Sequence, residues 1–358
     1  MTFTLNEEQT LLRDAARDFC REQAPVARLR KLRDDKKNGV DPELWREMAT
    51  MGWAGILVPD EYGGAGLGYV GLGLVLEAAG RTLAASPLHS TAMVGASALL
   101  LGGSDAQKAE WLPKIASGEC VVAFAVDEGA HHAPKRSLLK IAGGKISGSK
   151  KYVADGHIAD LFIVAGPKDL YLVRANASGV SRQALITVDS RGAADMTFDD
   201  APAEALAGGA ELVERVLDRA AAGLAAEMLG QAQEAFEITG EYLKTRKQFG
   251  QVIGGFQALQ HRAAKMFTEI ELTRSCVLAA LDALDRGAGD VAALASLAKA
   301  RAGDTLHLVS NEFVQMHGGI GMTDEHDAGL YLKRARVAEA LYGSASYHRD
   351  RYARLLGF

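Results

Sequence analysis

Between residues 256 and 284, apolar side chains return at steps of three and four: Phe256, Leu259, Ala263, Met266 and Ile270, then Val277, Leu281 and Leu284. That spacing predicts a long helix with one apolar face, of the kind that packs in an antiparallel bundle. Helical periodicity begins near Glu211 and lasts to the end of the chain. Residues 5–120 read as helices too. Asn6, with Gln9 three positions on, has the form of a capping box, and Leu12, Ala15, Ala16 and Phe19 then recur at helical spacing. Further helices are expected near "PELWREMATMGW", "GYVGLGLVLEAAGRTL" and "DAQKAEWLPKIASG", and the glycine-rich "PDEYGGAGLG" is expected to be a loop.

From Val121 to Ala201 the period changes. Short apolar and β-branched runs ("VVAFAV", "KYVA", "ADLFIVAG", "DLYLV", "ALITV") alternate with Gly, Asp and Asn, as strands do with turns between them. The expected fold class is therefore α+β, mostly α: an N-terminal helical domain over 1–120, a small β domain over 121–203 and a C-terminal four-helix bundle over 204–358. No internal repeat is present.

Composition removes several function classes. With 358 residues, 48% hydrophobic and 24% charged, the chain is long enough for two or three packed domains and is not a disordered protein. A net charge of -5 offers no basic stripe, and the dense cationic stretch from Arg28 to Lys37 is interrupted by Asp34 and Asp35, so nucleic acid is not an expected partner. Cys20, Cys120 and Cys276 are too scattered for a disulfide framework or a zinc site, and no metal is expected. "MTFTLNEEQTLL" lacks the pattern of a signal peptide, and nowhere do eighteen apolar residues run without a charge; a cytoplasmic protein with no membrane partner is the expectation.

Candidate chemistry gathers in two stretches. In "TRKQFGQVIGGFQALQHRAAKM", Arg246 and Gln248 precede a helix-ending Phe249-Gly250, and Gln257, Gln260 and His261 open the next helix. A guanidinium, amides and aromatic rings at such a turn can bind a phosphate and stack a planar group, or can simply cap two bundle helices. In "NEFVQMHGGIGMTDEH", Gly318, Gly319 and Gly321 follow a helix carrying Gln315, leaving bare backbone N–H groups for an anion, or a glycine helix end. No strand precedes these glycines, so a Rossmann-type dinucleotide site is not expected.

Taken in order, "VPDEYGGAGLG", "ISGSKKYVADGHIAD", "YLKTRKQFGQVIGGFQALQHRAAKM" and "VQMHGGIGMTDEH" resemble the acyl-CoA dehydrogenase family over nearly the whole chain. The resemblance implies an FAD in a cleft shared between two subunits and an acyl-CoA substrate whose α-proton goes to a carboxylate while the β-hydride goes to the flavin. It also implies electron-transfer flavoprotein as an acceptor. Carried over by position, Arg246, Gln248, Phe249, Phe256 and Gln257 would contact a neighbour's FAD, with Gln315, Gly318 and Gly319 lining the same site. Ser344 and Ser346 would hold the adenosine end. Phe124, Val126 and Tyr152 fall in the chain's own flavin half, and Asp218 and Arg219 match a segment that contacts substrate, unless both lie on a solvated helix face.

The departures from that pattern are as informative as the matches. Tyr342 stands before Gly343, where many members carry the glutamate base, and a phenol near pKa ~10 is a poor base at neutral pH. A second location used by some members falls near Ala220 or Ala221; Glu227, two turns further on, reads as a buried structural carboxylate. The family's Thr-Glu-Pro-x-x-Gly-Ser-Asp loop is replaced by "VDEGAHHAPKRSLL", in which His131 and His132 are expected on a solvated loop and Lys135 and Arg136 face solvent or a CoA phosphate. Tyr152-Val153-Ala154 lacks the usual hydroxyl near the flavin. The expectation is thus a base-lacking partner subunit, its catalytic residues unknown, in a heteromeric flavoenzyme that forms a 2-enoyl-CoA on a bulky or steroid-type acyl group. A flavin-dependent oxidase or monooxygenase, a non-catalytic structural subunit, and self-association as dimer or tetramer stand as alternatives.

Overall fold

A computed structural model describes residues 4–35 and 39–358. Lys36 and Lys37 of the cationic stretch, and the first three residues of the N-terminal segment, lie outside the described residues.

The helices before the β region are α1 (Glu7–Gln23), α2 (Val26–Asp34), α3 (Pro42–Thr50), α4 (Gly68–Arg81), α5 (Ala96–Gly102) and α6 (Asp105–Ala116). The expected capping box on α1 is present, with the Asn6 side chain accepting from the Gln9 N–H at 2.7 Å and the Gln9 side chain accepting from the Asn6 N–H at 3.1 Å. The chain then forms β1 (Val122–Ala125), β2 (Lys140–Ala142), β3 (Lys145–Ala154), β4 (Leu161–Ala165), β5 (Leu170–Arg174), β6 (Val180–Ile186), β7 (Gly192–Pro202) and β8 (Glu204–Ala205). The remaining elements are α7 (Gly209–Thr245), the short strands β9 (Lys247–Gln248) and β10 (Gln251–Val252), α8 (Gln257–Arg286), α9 (Val291–His317), α10 (Ala328–Ala340) and α11 (Ala345–Leu355). The order of helices, strands and helical bundle is the one that the change of period predicts.

By contacts the chain divides into two compact units, Met1–Arg28 with Gly73–Ala84 and Leu224–Phe358, and Leu29–Leu72 with Ala85–Gly223. In the first, α8, α10 and α11 all pack on α9. Packing of α4 on α7 depends on two glycines: a Cβ on Gly80 would lie 2.1 Å from the Glu227 carbonyl oxygen, and one on Gly230 would lie 1.9 Å from that of Glu77. Either side chain would force the backbones apart.

In the second unit, two four-stranded sheets run in the orders β1-β4-β5-β8 and β2-β3-β7-β6. Among the described residues of this unit only β1 and β4 pair in parallel; the other pairs are antiparallel. Their core is Phe162, Val164, Val173, Met196 and Phe198 with Leu139 and Ile146. Strand β3 slips register against β7 between Lys150 and Val153, a bulge that throws Tyr152 out at φ 52°. Residues His89–Gly95 form a buried π-helical segment that the sequence pattern does not predict.

Among the described residues no helix is long and apolar enough to cross a membrane, and no group of three or more His, Cys, Asp or Glu side chains could hold a metal ion.

Candidate functional site

The stretch after α7 is built differently from a plain helix-to-helix turn. Strands β9 and β10 pair as a two-residue hairpin, Gln251 against Gln248 and Val252 against Lys247, and its tip is Phe249-Gly250 with both φ angles positive, at 52° and 79°. Such a turn suits the twist of the hairpin but disfavours a phenylalanine by roughly 1–2 kcal/mol. Phe249 is nevertheless 90% exposed, its ring edge-on to Phe256 at 6.1 Å. Arg246, Lys247 and Gln248 beside it are also exposed. Gln257 is the first residue of α8, whose cap, Phe256, makes no side-chain hydrogen bond; the Phe256 carbonyl accepts from the Leu259 N–H at 3.0 Å and the Gln260 N–H at 3.1 Å.

The glycine stretch lies next to this arm. Tyr242, one turn before Arg246, stacks on His317 at 4.3 Å, and its hydroxyl donates to the His317 carbonyl at 3.4 Å. The ends of α7 and α9 therefore meet, one turn before Arg246 on one side and next to Gln315, Gly318 and Gly319 in sequence on the other. Gln315 and both glycines are exposed, and a Cβ on either glycine would meet nothing within 4 Å. Ser344 and Ser346 are not gathered with them. Their turn packs on α9 near Lys299 and Gly303, roughly 21–27 Å along the helix from His317 at the helical rise per residue. There the Ser344 Oγ lies 2.9 Å from that of Ser346 and caps α11 by accepting from the Tyr347 N–H.

In the second unit, Phe124 and Val126 are buried, and the Val126 carbonyl is already taken by the amine of Lys150 at 2.7 Å. The loop after β1 turns its polar groups on itself. Asp127 accepts from the Ala133 N–H and pairs with His132 Nδ1, both at 3.0 Å, while Glu128 accepts from Ser137, the Leu138 N–H and Lys150. Burial pushes the Glu128 carboxyl up, but these hydrogen bonds outweigh it and hold the pKa below the usual carboxylate range. The fully buried Lys150 amine is drawn below its ordinary value by burial, which Glu128 only partly offsets. The expectation of a solvated His132 is corrected: its side chain is only 6% exposed, because the Asp127 carboxylate pulls it inward. His131 and Arg136 are exposed as expected, and Lys135 pairs with Glu214 at 3.2 Å. Tyr152 is 58% exposed, its N–H donating to Asp195 at 3.1 Å.

A solvated face for Asp218 and Arg219 is likewise overturned, since they are only 4% and 7% exposed. The Arg219 guanidinium lies 5.3 Å over the Tyr69 ring; its Nε donates to the Tyr69 hydroxyl at 2.9 Å and its Nη1 to the Arg215 carbonyl at 2.7 Å. The Tyr69 hydroxyl is in turn 3.1 Å from Ser97 Oγ. Neither Tyr69 nor Ser97 is legible from the sequence as a partner of Arg219, because each lies among small apolar neighbours whose pattern reads only as packing.

The two positions at which the resemblance implies a base are occupied by Tyr342 and by Ala220 or Ala221. Tyr342 is buried at φ 56°, and Ala220 and Ala221 are buried and inert. Glu227 is 4% exposed and accepts from the equally buried Arg334 at 3.0 Å and from Gln231 at 3.3 Å. Its carboxylate is thus committed to a structural ion pair.

The helical, β, helical order and the motifs on it are those of one oxidoreductase family. Residues 6–119 match the acyl-CoA dehydrogenase N-terminal domain and 207–357 the acyl-CoA dehydrogenase C-terminal domain, so the chain belongs to the acyl-CoA dehydrogenase family, whose members are FAD-dependent oxidoreductases. It is similar to the acyl-CoA dehydrogenase IpdE2 of Mycobacterium tuberculosis, at 32% identity over 94% of each chain. Among solved structures it is similar to a variant of the Tcur3481-Tcur3483 steroid ACAD, with 33% identity and a TM-score of 0.91 over 99% of this chain and 98% of that one. The ChsE4-ChsE5 complex from Mycobacterium tuberculosis is also similar, with 26% identity and a TM-score of 0.92 over 99% of each chain.

Proposed function

We propose that this chain, with segments 1–120, 121–203 and 204–358 as its three domains, is the base-lacking subunit of a heteromeric acyl-CoA dehydrogenase. The complex would convert a bulky acyl-CoA, of steroid type, to its 2-enoyl-CoA, with an electron-transfer flavoprotein as acceptor. The observation that carries this reading is the outward arm at the end of α7: a strained, 90% exposed Phe249 beside exposed Arg246 and Gln248. An aromatic held at a cost and presented to solvent, with only an edge contact to Phe256 in its own chain, supports a binding role.

The donor set fits an FAD reaching in from a neighbouring subunit. Arg246 is suited to a diphosphate, Phe249 and Phe256 to a planar ring, and the open backbone of Gly318 and Gly319, with Gln315, Gln248 and Gln257, to phosphate and ribose oxygens. Ser344 and Ser346, whose turn lies roughly 21–27 Å from His317 along α9, suit a separate adenosine contact. FAD, when bound, supplies the acceptor for the hydride that leaves the β-carbon. This chain's residues hold and orient; the α-proton goes to a carboxylate of the partner subunit. In the second unit, Phe124 and Val126 are enclosed, the Val126 carbonyl is occupied, and Tyr152 has no neighbouring hydroxyl at Ala154, which leaves little there to hold a second flavin. Asp218 and Arg219, linked to Tyr69, would border the acyl-CoA. Resemblance to two solved proteins, one named the Tcur3481-Tcur3483 steroid ACAD and the other the ChsE4-ChsE5 complex, favours the heteromeric assembly and the substrate class.

Arg246→Ala tests the reading. Loss of one charge-assisted bond, worth roughly 1.5–3 kcal/mol, should weaken flavin retention by the assembled complex about 10- to 100-fold. Flavin content equal to that of wild type at matched assembly would refute the role of the arm.

A further inference from the structure

The turn between α10 and α11 carries Tyr342, Gly343 and Ser344, and two consecutive residues in it are left-handed: Tyr342 at φ 56° and Gly343 at φ 103°. A buried tyrosine does not adopt that conformation on its own account. Something must hold it there.

Lys299, in the middle of α9, is completely buried, and its amine meets three carbonyl oxygens: Ala338 at 3.0 Å, Glu339 at 3.3 Å and Gly343 at 2.9 Å. The first two belong to the last turn of α10. They lose their helical partners because the chain turns away after Ala340, where the Gly343 N–H donates to the Ala340 carbonyl instead. Three N–H bonds of an ammonium group thus serve three acceptors, one of them inside the left-handed pair. From the other side, His348 Nε2 lies 2.9 Å from the Tyr342 carbonyl. Burying an amine here is costly: burial draws its pKa down to about 7, with Glu339 opposing the drop and Arg334 adding to it. Capping a helix end needs nothing so expensive, since a glycine and water suffice.

We propose that Lys299 is a positioning residue whose buried amine locks the Tyr342–Ser344 turn in its left-handed form, so that Ser344 and Ser346 are presented to the adenosine end of the cofactor. The inference rests on the subunit reading above for the identity of the ligand, but the lock itself is a property of this chain. Gly343 shows how little tolerance the turn has. A Cβ there would lie 2.6 Å from the Tyr347 ring and 3.0 Å from His348 Nε2.

The test uses the complex as it co-purifies from its host, with Lys299→Met, which keeps the apolar stem and removes every donor. Hydrogen exchange should accelerate at least tenfold at the amides of residues 343–348 while those of α9 stay protected, and FAD affinity should fall about tenfold. Gly343→Ala, which attacks the same turn without touching the amine, provides an independent variant should the first fail to fold. It should reproduce the local exchange and the affinity loss, and the double variant should bind FAD no more weakly than the weaker single variant, as two lesions of one element do. Unchanged exchange at 343–348, unchanged FAD affinity in a folded variant, or exchange that rises uniformly through α9 and α10 would each overturn the proposal. A wild-type complex that binds no flavin would instead sink the subunit reading, and the exchange pattern would still decide the lock.

Discussion

Replacing Glu227 by Gln separates the structural reading of this carboxylate from a catalytic one. Glu227 and Arg334 have side chains only 5% and 7% exposed and approach to 2.9 Å, so neither charge has water to fall back on. Removing one member of a buried pair typically costs about 3–5 kcal/mol, because the remaining charge is stranded. Glutamine keeps the shape and one acceptor oxygen for Arg334, so a smaller loss, at or just below that range at ~2–3 kcal/mol, is expected. With a urea slope of about 2–3 kcal/mol per M, the unfolding midpoint should fall by ~1 M. The double replacement Glu227→Met with Arg334→Met should recover most of that loss, since no charge is then left unpaired. Turnover of the assembled complex per bound flavin, followed with an artificial acceptor, should stay within about twofold of wild type for the Gln variant. General-base catalysis is worth about 10²–10⁴ in rate. A Gln variant that keeps its urea midpoint but loses turnover by that factor would show that Glu227 takes the proton and that the base-lacking reading is wrong.

Two further outcomes are expected. Tyr342→Phe should leave turnover nearly unaltered, because no step uses the phenol; a several-hundredfold loss with FAD still bound would assign it a chemical role. His317, 3% exposed, makes its Nδ1 hydrogen bond to the Phe313 carbonyl at 2.8 Å, and burial is the main force that holds its pKa below 6.5, the Phe313 carbonyl opposing and His326 assisting. The unfolded chain therefore takes up this proton more readily, so the contribution of a neutral His317 is complete above pH 6.5 and is lost as the pH falls through the folded value. His317→Phe should flatten the fall in urea midpoint between pH 7.5 and 5, and a variant as acid-sensitive as wild type would contradict this.

Much of the fold was legible because helices and strands write different periods. The stripe from Phe256 to Leu284 predicts α8, and the short β-branched runs predict β1, β4 and β5. Strand β7 was not, since "GAADMTFDDAP" has few β-formers and depends on its neighbours β3 and β6 for pairing. Phe249-Gly250 read as a helix end, whereas two left-handed residues between two-residue strands make a hairpin. Asp218 and Arg219 fell between a substrate-contact and a solvated reading, because burial depends on Tyr69, some 150 positions away in sequence. Lys299 gave no signal at all. A lysine in an alanine-rich helix looks solvated until α10 and the turn after it close over the amine.

The most direct test of the central claim is the flavin-to-chain ratio, measured together with thioester oxidation, for the isolated chain and for the complex isolated from its host. The account predicts little flavin and no desaturation for the chain alone, and one flavin per two chains with activity in the complex. One flavin per chain in the isolated protein, with unaided conversion of an acyl-CoA to its 2-enoyl product, would contradict it.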